Sequence, residues 1–279
     1  MGMSKKRVLI VTQEMQPYTE LNEISEIARK LPQLYQSNNL EVRVLMPRFG
    51  TINERRHRLH EVVRLSGTNI IVDDEDYPLI IKVASLPGAR MQVYFLDNED
   101  FFKRKAVFQD ENGQGFEDNS DRMIFFCKSV IETVKRFGWP PDVIHCHGWM
   151  TSLIPTYLKH AHKNEPLFDN TKVVYSAYNS PFEGSFDAES FIEKSLTKNL
   201  DEADLEGFKD DAGSINLNKG GMMYSDAVVL ASGDTNETTQ KTFEDSDLPK
   251  LQVDPELEDK LPVYWEFFEP LVKVEEESE

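Results

Sequence analysis

Short aliphatic runs alternating with stretches of helical periodicity constrain this chain more than any other feature. Arg7–Thr12 reads as a buried strand leading into 19–36, where Leu21, Ile24, Ile27, Leu31 and Leu34 recur every three or four residues as one apolar face. Thr19, just after Pro17, is the expected N-cap of that helix. Further strands are expected at 41–46, 142–146, Lys172–Ala177 and 226–231, and a long amphipathic helix at 118–137. Strands of four to six residues separated by helices point to an α/β fold, a Rossmann-like doubly wound parallel sheet with helices on both faces.

Two regions break the alternation. Between residues 61 and 95 four extended runs (61–65, 69–72, 79–85 and 91–95) follow one another without a helix, so a β-hairpin insertion at one sheet edge is expected. From Glu244 the chain turns acidic and is punctuated by proline, then offers the cluster Tyr264-Trp265-Glu266-Phe267-Phe268. The expected organisation is a domain over 1–243 and an acidic tail with a short aromatic helix over 244–279. Four large aromatics left in water would be an aggregation hazard, so covering the domain is preferred to an exposed anchor for a partner.

The formal charge is −18, from 31 Lys and Arg against 49 Asp and Glu. Nucleic acid and anionic membrane surfaces are therefore not expected partners, since both demand a surplus of cations. Residues 244–279 hold 13 acidic and 3 basic residues, so more than half of the net charge sits in the tail and the domain can still hold a basic pocket. No run approaches the roughly 18 apolar residues of a membrane helix. Cys127 and Cys146 lie in apolar stretches and read as buried free thiols, which fits a reducing, cytoplasmic setting.

In an open parallel sheet, ligands bind outside the carboxyl ends of the strands. Three such ends carry chemistry: 13–20, His145-Cys146-His147-Gly148-Trp149, and 178–184. A two-residue period puts His145 and His147 on one side and Cys146 on the other, with no third ligand close in sequence, so no metal is expected. On residue pattern alone a histidine satisfied at a strand end is preferred to a catalyst. Arg55, Arg56, His57, Arg58, His60 and Arg64 form the one dense basic patch, readable as a solvated face or as an anion contact.

Several longer segments resemble one family. Val42-Arg43-Val44-Leu45-Met46-Pro47-Arg48-Phe49-Gly50, Val93-Tyr94-Phe95-Leu96-Asp97-Asn98, Pro141-Asp142-Val143-Ile144-His145-Cys146-His147-Gly148-Trp149 and Lys219-Gly220-Gly221-Met222-Met223-Tyr224-Ser225-Asp226 are similar to the N-terminal domain of bacterial glycogen and starch synthases. The resemblance implies one half of a GT-B glycosyltransferase fold and, for the family, retaining transfer of glucose from ADP-glucose or UDP-glucose to an α-1,4-glucan. It implies His147 as the active-site histidine, Tyr18, Trp149, Tyr178, Asn179, Glu183 and Gly184 as substrate-binding residues, α-glucan as partner, and no cofactor. A protein partner or a homo-oligomer is the other partner expectation.

Departures from the family bear on activity. Where the family loop carries Lys-Thr-Gly-Gly-Leu, this chain has Glu20, Leu21, Asn22, Glu23 and Ile24, a degenerate donor loop. Replacing a cation by a carboxylate turns attraction into repulsion, about 4 kcal/mol per unit-charge pair at ~4 Å and an effective dielectric near 20. The family's His-x-His-Asp-Trp has Gly148 in place of Asp, and its Ile-His-Asn becomes Ala177-Tyr178-Asn179. The sequence also ends where a second Rossmann domain is expected. Three functions follow as expectations: a glucan- or partner-binding protein inactive alone, a glucosyltransferase completed by a partner or by oligomerisation, and a scaffolding module without a carbohydrate ligand.

Overall fold

The computed structural model describes residues 5–180, 182 and 185–273. Its strands are β1 (Arg7–Thr12), β2 (Glu41–Pro47), β3 (His60–Glu61), β4 (Thr68–Val72), β5 (Glu75–Ser85), β6 (Gln92–Asp97), β7 (Val143–His147), β8 (Lys172–Ala177), β9 (Ala227–Leu230) and β10 (Lys250–Gln252). Its longer helices include α1 (Glu23–Ser37), α2 (Asn119–Phe137) and α4 (Leu261–Val272), with the shorter α3 (Leu217–Met223) before β9.

The sheet runs in the order β10-β9-β8-β7-β1-β2-β6-β5-β3, with β4 paired to β5. From β10 to β6 every neighbouring pair is parallel, and only the pairs made by β5 are antiparallel. Buried on both faces, the central strands are apolar almost throughout, as Val8, Leu9, Ile10 and Val11 show at 0% exposure. The chain passes to one side of β1 through β2 and returns to its other side through β7, so the crevice outside the carboxyl ends of β1 and β7 lies at a topological switch point.

The expected insertion is present, and its strands extend the main sheet at the β6 edge. β4 and β5 are joined at Asp73 and Asp74, both at positive φ (51° and 59°), the geometry of a two-residue hairpin turn. The first helix differs from its expected start. Asn22, at φ −150°, and not Thr19, caps α1: its side chain accepts from Ser25 N–H at 2.8 Å while Ser25 Oγ accepts from Asn22 N–H at 2.9 Å. Three residues after Thr19 the reciprocal Asn–Ser pair wins, because it satisfies two otherwise orphaned donors.

Residues after Glu244 add to the same layers. β10 pairs in parallel with β9, and α4 lies against α1. Tyr264 and Phe268 are buried, and Trp265 and Phe267 are partly buried against the core. Both cysteines are buried free thiols, with Cys127 Sγ bonded to the Met150 carbonyl at 3.0 Å.

Candidate functional site

A cleft of about 840 Å³ opens at the carboxyl ends of the parallel strands. Its walls come from the loop after β1 (Gln13 to Ile24), from Thr51 after β2, from 105–109 beyond β6, from Trp149 after β7, from Tyr178, Asn179 and Phe182 after β8, and from Ser232 and Asp234 after β9. The floor is aromatic. Trp149 meets Phe108 at 5.0 Å and Phe182 at 5.2 Å between ring centroids, and Tyr18 meets Phe95 edge-on at 4.9 Å.

The rim is acidic. Glu14, Glu20, Glu23 and Asp234 line it, with Lys105 the only cation among the described lining residues. Glu14 accepts from Asn22 Nδ2 at 2.8 Å and from Gln13 Nε2 at 3.2 Å, and burial pushes its carboxyl above the ordinary value despite those donors. Asp234 accepts from Asn179 Nδ2 at 2.9 Å. Glu23 accepts from the Ser232 hydroxyl and lies 3.9 Å from Lys260 Nζ, so it joins α1 to the loop after β9 and to the start of α4.

The structure therefore gathers Tyr18, Glu20, Asn22, Glu23, Trp149, Tyr178 and Asn179 around one cleft. Glu183 and Gly184 fall outside the described residues. His147 is not part of the lining: it is 0% exposed, beneath Tyr178, whose hydroxyl lies 3.0 Å from its Nδ1. His145 and His147 share one side of the sheet as expected, with ring centroids 4.0 Å apart. His145 is held by Tyr35 Oη at 3.0 Å and Ser176 Oγ at 2.8 Å, and Phe268 stacks over it at 5.7 Å. Burial holds both imidazoles neutral, lowering His147 to about 3 and His145 well below its usual value. Nε2 of His147 is left without a hydrogen-bond partner.

Gly148 stands at φ +84°, a conformation that favours glycine, and a Cβ there would overlap the side-chain amide of Gln13. The Gln13 amide oxygen in turn accepts from Met150 N–H at 3.3 Å. No group of three or more His, Cys, Asp or Glu side chains that could hold a metal ion occurs among the described residues.

The family model of the starch synthase catalytic domain matches residues 7–251. The chain belongs to that family. The glycogen synthase of Chlorobaculum parvum is 33% identical over 83% of this chain and 47% of its own length, and that of Chlorobium limicola is 38% identical over 62% of this chain and 36% of its own. The chain thus spans less than half the length of these curated relatives. Among solved structures, the catalytic domain of starch synthase IV from Arabidopsis thaliana, bound to ADP and acarbose, superposes with a TM-score of 0.67 at 20% identity, covering 81% of this chain and 45% of that one. That likeness supports the Rossmann-like fold.

Lining positions outside the three strand ends singled out in the sequence include Lys105, Phe108 and Asp234. Asp234 follows the carboxyl end of β9, where the strand-end rule could have found it. Lys105 and Phe108 lie in an irregular segment with no periodicity, and only the tertiary fold brings them to Trp149.

Proposed function

We propose that the chain acts in α-glucan metabolism by binding α-glucan in this cleft, and that the cleft does not accept a nucleotide-sugar donor. The observation carrying this reading is the aromatic floor beneath a rim of four carboxylates. Sugar rings offer apolar faces that pack on aromatic side chains and hydroxyls that donate to carboxylates. A diphosphate meets the opposite: like charge at the rim and one lysine.

The α1 N-terminus adds a second physical reason. A helix start binds phosphate through free N–H groups and its positive dipole end. Here the Ser25 N–H is taken by Asn22 and the Glu26 N–H by the Asn22 carbonyl at 3.0 Å, while Glu23 and Glu26 put negative charge in the first turn. The test is tryptophan fluorescence on titration with maltoheptaose. A saturable change lost in Trp149→Ala supports the reading, and a flat signal together with unchanged chemical shifts around Trp149 contradicts it.

One observation favours a second reading, a glucosyltransferase completed by another chain: the unpartnered Nε2 of His147 lies buried beneath a cleft residue. Reaching it requires displacement of Tyr178, whose hydroxyl lies 3.0 Å from the Nδ1 of the same ring. Incorporation of glucose from ADP-glucose into glycogen by the protein, abolished in His147→Ala, is the outcome that establishes this alternative.

A further inference from the structure

Beside the cleft lies a second hollow of about 480 Å³, lined by Arg48, Asn53, Glu54, Arg55, Lys103 and Lys105. Thr51 and Lys105 line both cavities, so the two adjoin. Four cations and one carboxylate around one hollow is an unusual concentration in a chain of net charge −18.

Not all of this charge is free. Arg48 Nε lies 2.9 Å from Asp97 and its Nη2 3.2 Å from Glu54, while Lys82 Nζ lies 2.7 Å from Glu54 and 3.0 Å from Asp97. These two cations and two carboxylates cancel as a quartet. Arg55, Lys103 and Lys105 remain, and among the described residues none has a carboxylate within 4.0 Å. The hollow therefore carries three cations outside any ion pair, of which Lys105 is close enough to help hold the Glu54 carboxyl below its ordinary value.

Its walls are fixed with respect to each other. Lys105 Nζ donates to the Gly50 carbonyl at 2.8 Å, leaving two donors for a ligand. A Cβ at Gly50 would overlap the carbonyls of Lys103 and Arg104, so glycine lets the two loops meet backbone to backbone. The Asn53 side chain accepts from Arg56 N–H at 2.9 Å and holds the turn carrying Arg55.

We propose that this hollow is a phosphate-monoester site that takes a phosphate carried on the glucan in the adjoining cleft. The claim that the phosphate arrives on a glucan rests on the glucan reading above; the anion site itself does not. A compact dianion suits a guanidinium and two ammonium groups. Among the described residues none that lines the hollow is aromatic, so a nucleobase finds no ring to stack on. The charge separation matches the ligand: neutral sugar over the acidic, aromatic cleft, anionic substituent in the basic hollow.

The test is calorimetric titration of the full chain with inorganic phosphate, maltoheptaose, maltoheptaose bearing a 6-phosphate, and ADP-glucose. It is repeated on Arg55→Glu and Lys103→Glu, which lie outside the glucan cleft. The phosphorylated glucan is expected to bind about tenfold more tightly than the plain one, an advantage that salt weakens. Each variant should lose the advantage while binding plain maltoheptaose unchanged. Equal affinities, an advantage that both variants retain, or ADP-glucose binding that Arg55→Glu abolishes, overturns the proposal. Heat from inorganic phosphate with none from maltoheptaose supports the anion site and removes the glucan reading.

Discussion

The Glu23 carboxylate accepts a hydrogen bond from the Ser232 hydroxyl, tying the first turn of α1 to the loop after β9 across 209 residues of sequence. Where the family resemblance aligns a glycine, this chain has placed a latch, and Lys260 at the start of α4 lies on its other side at 3.9 Å. Glu23→Gly removes both contacts. The expected loss is about 1 kcal/mol, or roughly 2 °C in the thermal midpoint for a chain of this size. Differential scanning calorimetry measures it, and an unchanged midpoint shows that the latch contributes nothing.

Gly148 and Gln13 are a matched pair. Restoring the family's residue with Gly148→Asp forces a side chain into space held by the Gln13 amide, at a backbone conformation that costs non-glycine residues about 1–3 kcal/mol. Chemical denaturation should show a loss of at least about 2 kcal/mol. Adding Gln13→Ala relieves the overlap but not the backbone strain, so the double variant recovers part of the loss; strict additivity contradicts the pairing.

Phe268 stacks on Tyr35 at 4.3 Å and covers His145. Phe268→Ala should cost about 3–5 kcal/mol, as for other buried rings, and let water reach the imidazole. The measurement beyond stability is the His145 titration by NMR. Its pKa moves up toward 6.5 in the variant if burial is what depresses it.

Stability should depend on pH through the same pair. His145 and His147 are neutral in the fold with depressed pKa values, and ordinary when unfolded, so between those values the unfolded chain binds more protons. Stability is then full above the unfolded value of 6.5 and declines as pH falls toward the folded value, about 3 for His147. The slope is about 1.4 kcal/mol per pH unit for each histidine. Glu14, whose carboxyl is raised by burial, acts in the opposite sense, so Glu14→Gln is the background for the measurement. His147→Asn should lower the slope between pH 6 and 5 by about 1.4 kcal/mol per unit.

The parallel strands were legible because both of their faces are buried: continuous aliphatic runs such as Val8 to Val11 leave little room for another reading. The start of α1 was legible only approximately, because proline and threonine signal a helix start at 19 while the reciprocal Asn22–Ser25 bonds decide it. Strand β5 begins at Glu75, four residues before the extended run expected at 79–85, because the Asp73–Asp74 turn sets the pairing of Glu75 with Val72. At the site, the strand-end residues Tyr18, Trp149, Tyr178 and Asn179 were visible from position. That His147 is buried with its Nδ1 beside the Tyr178 hydroxyl follows from the register of β7 against β8, which no local pattern gives.

Whether the cleft takes α-glucan and refuses the nucleotide-sugar donor is read by comparing the two ligands on the same protein. Maltoheptaose and ADP-glucose are titrated separately into the protein, with backbone chemical shifts of Glu20 to Ile24 and of Trp149 as readout. Saturable shifts are expected at Trp149 with maltoheptaose and none in the Glu20 to Ile24 loop with ADP-glucose. Saturable ADP-glucose shifts in that loop, with no response to maltoheptaose, would contradict it.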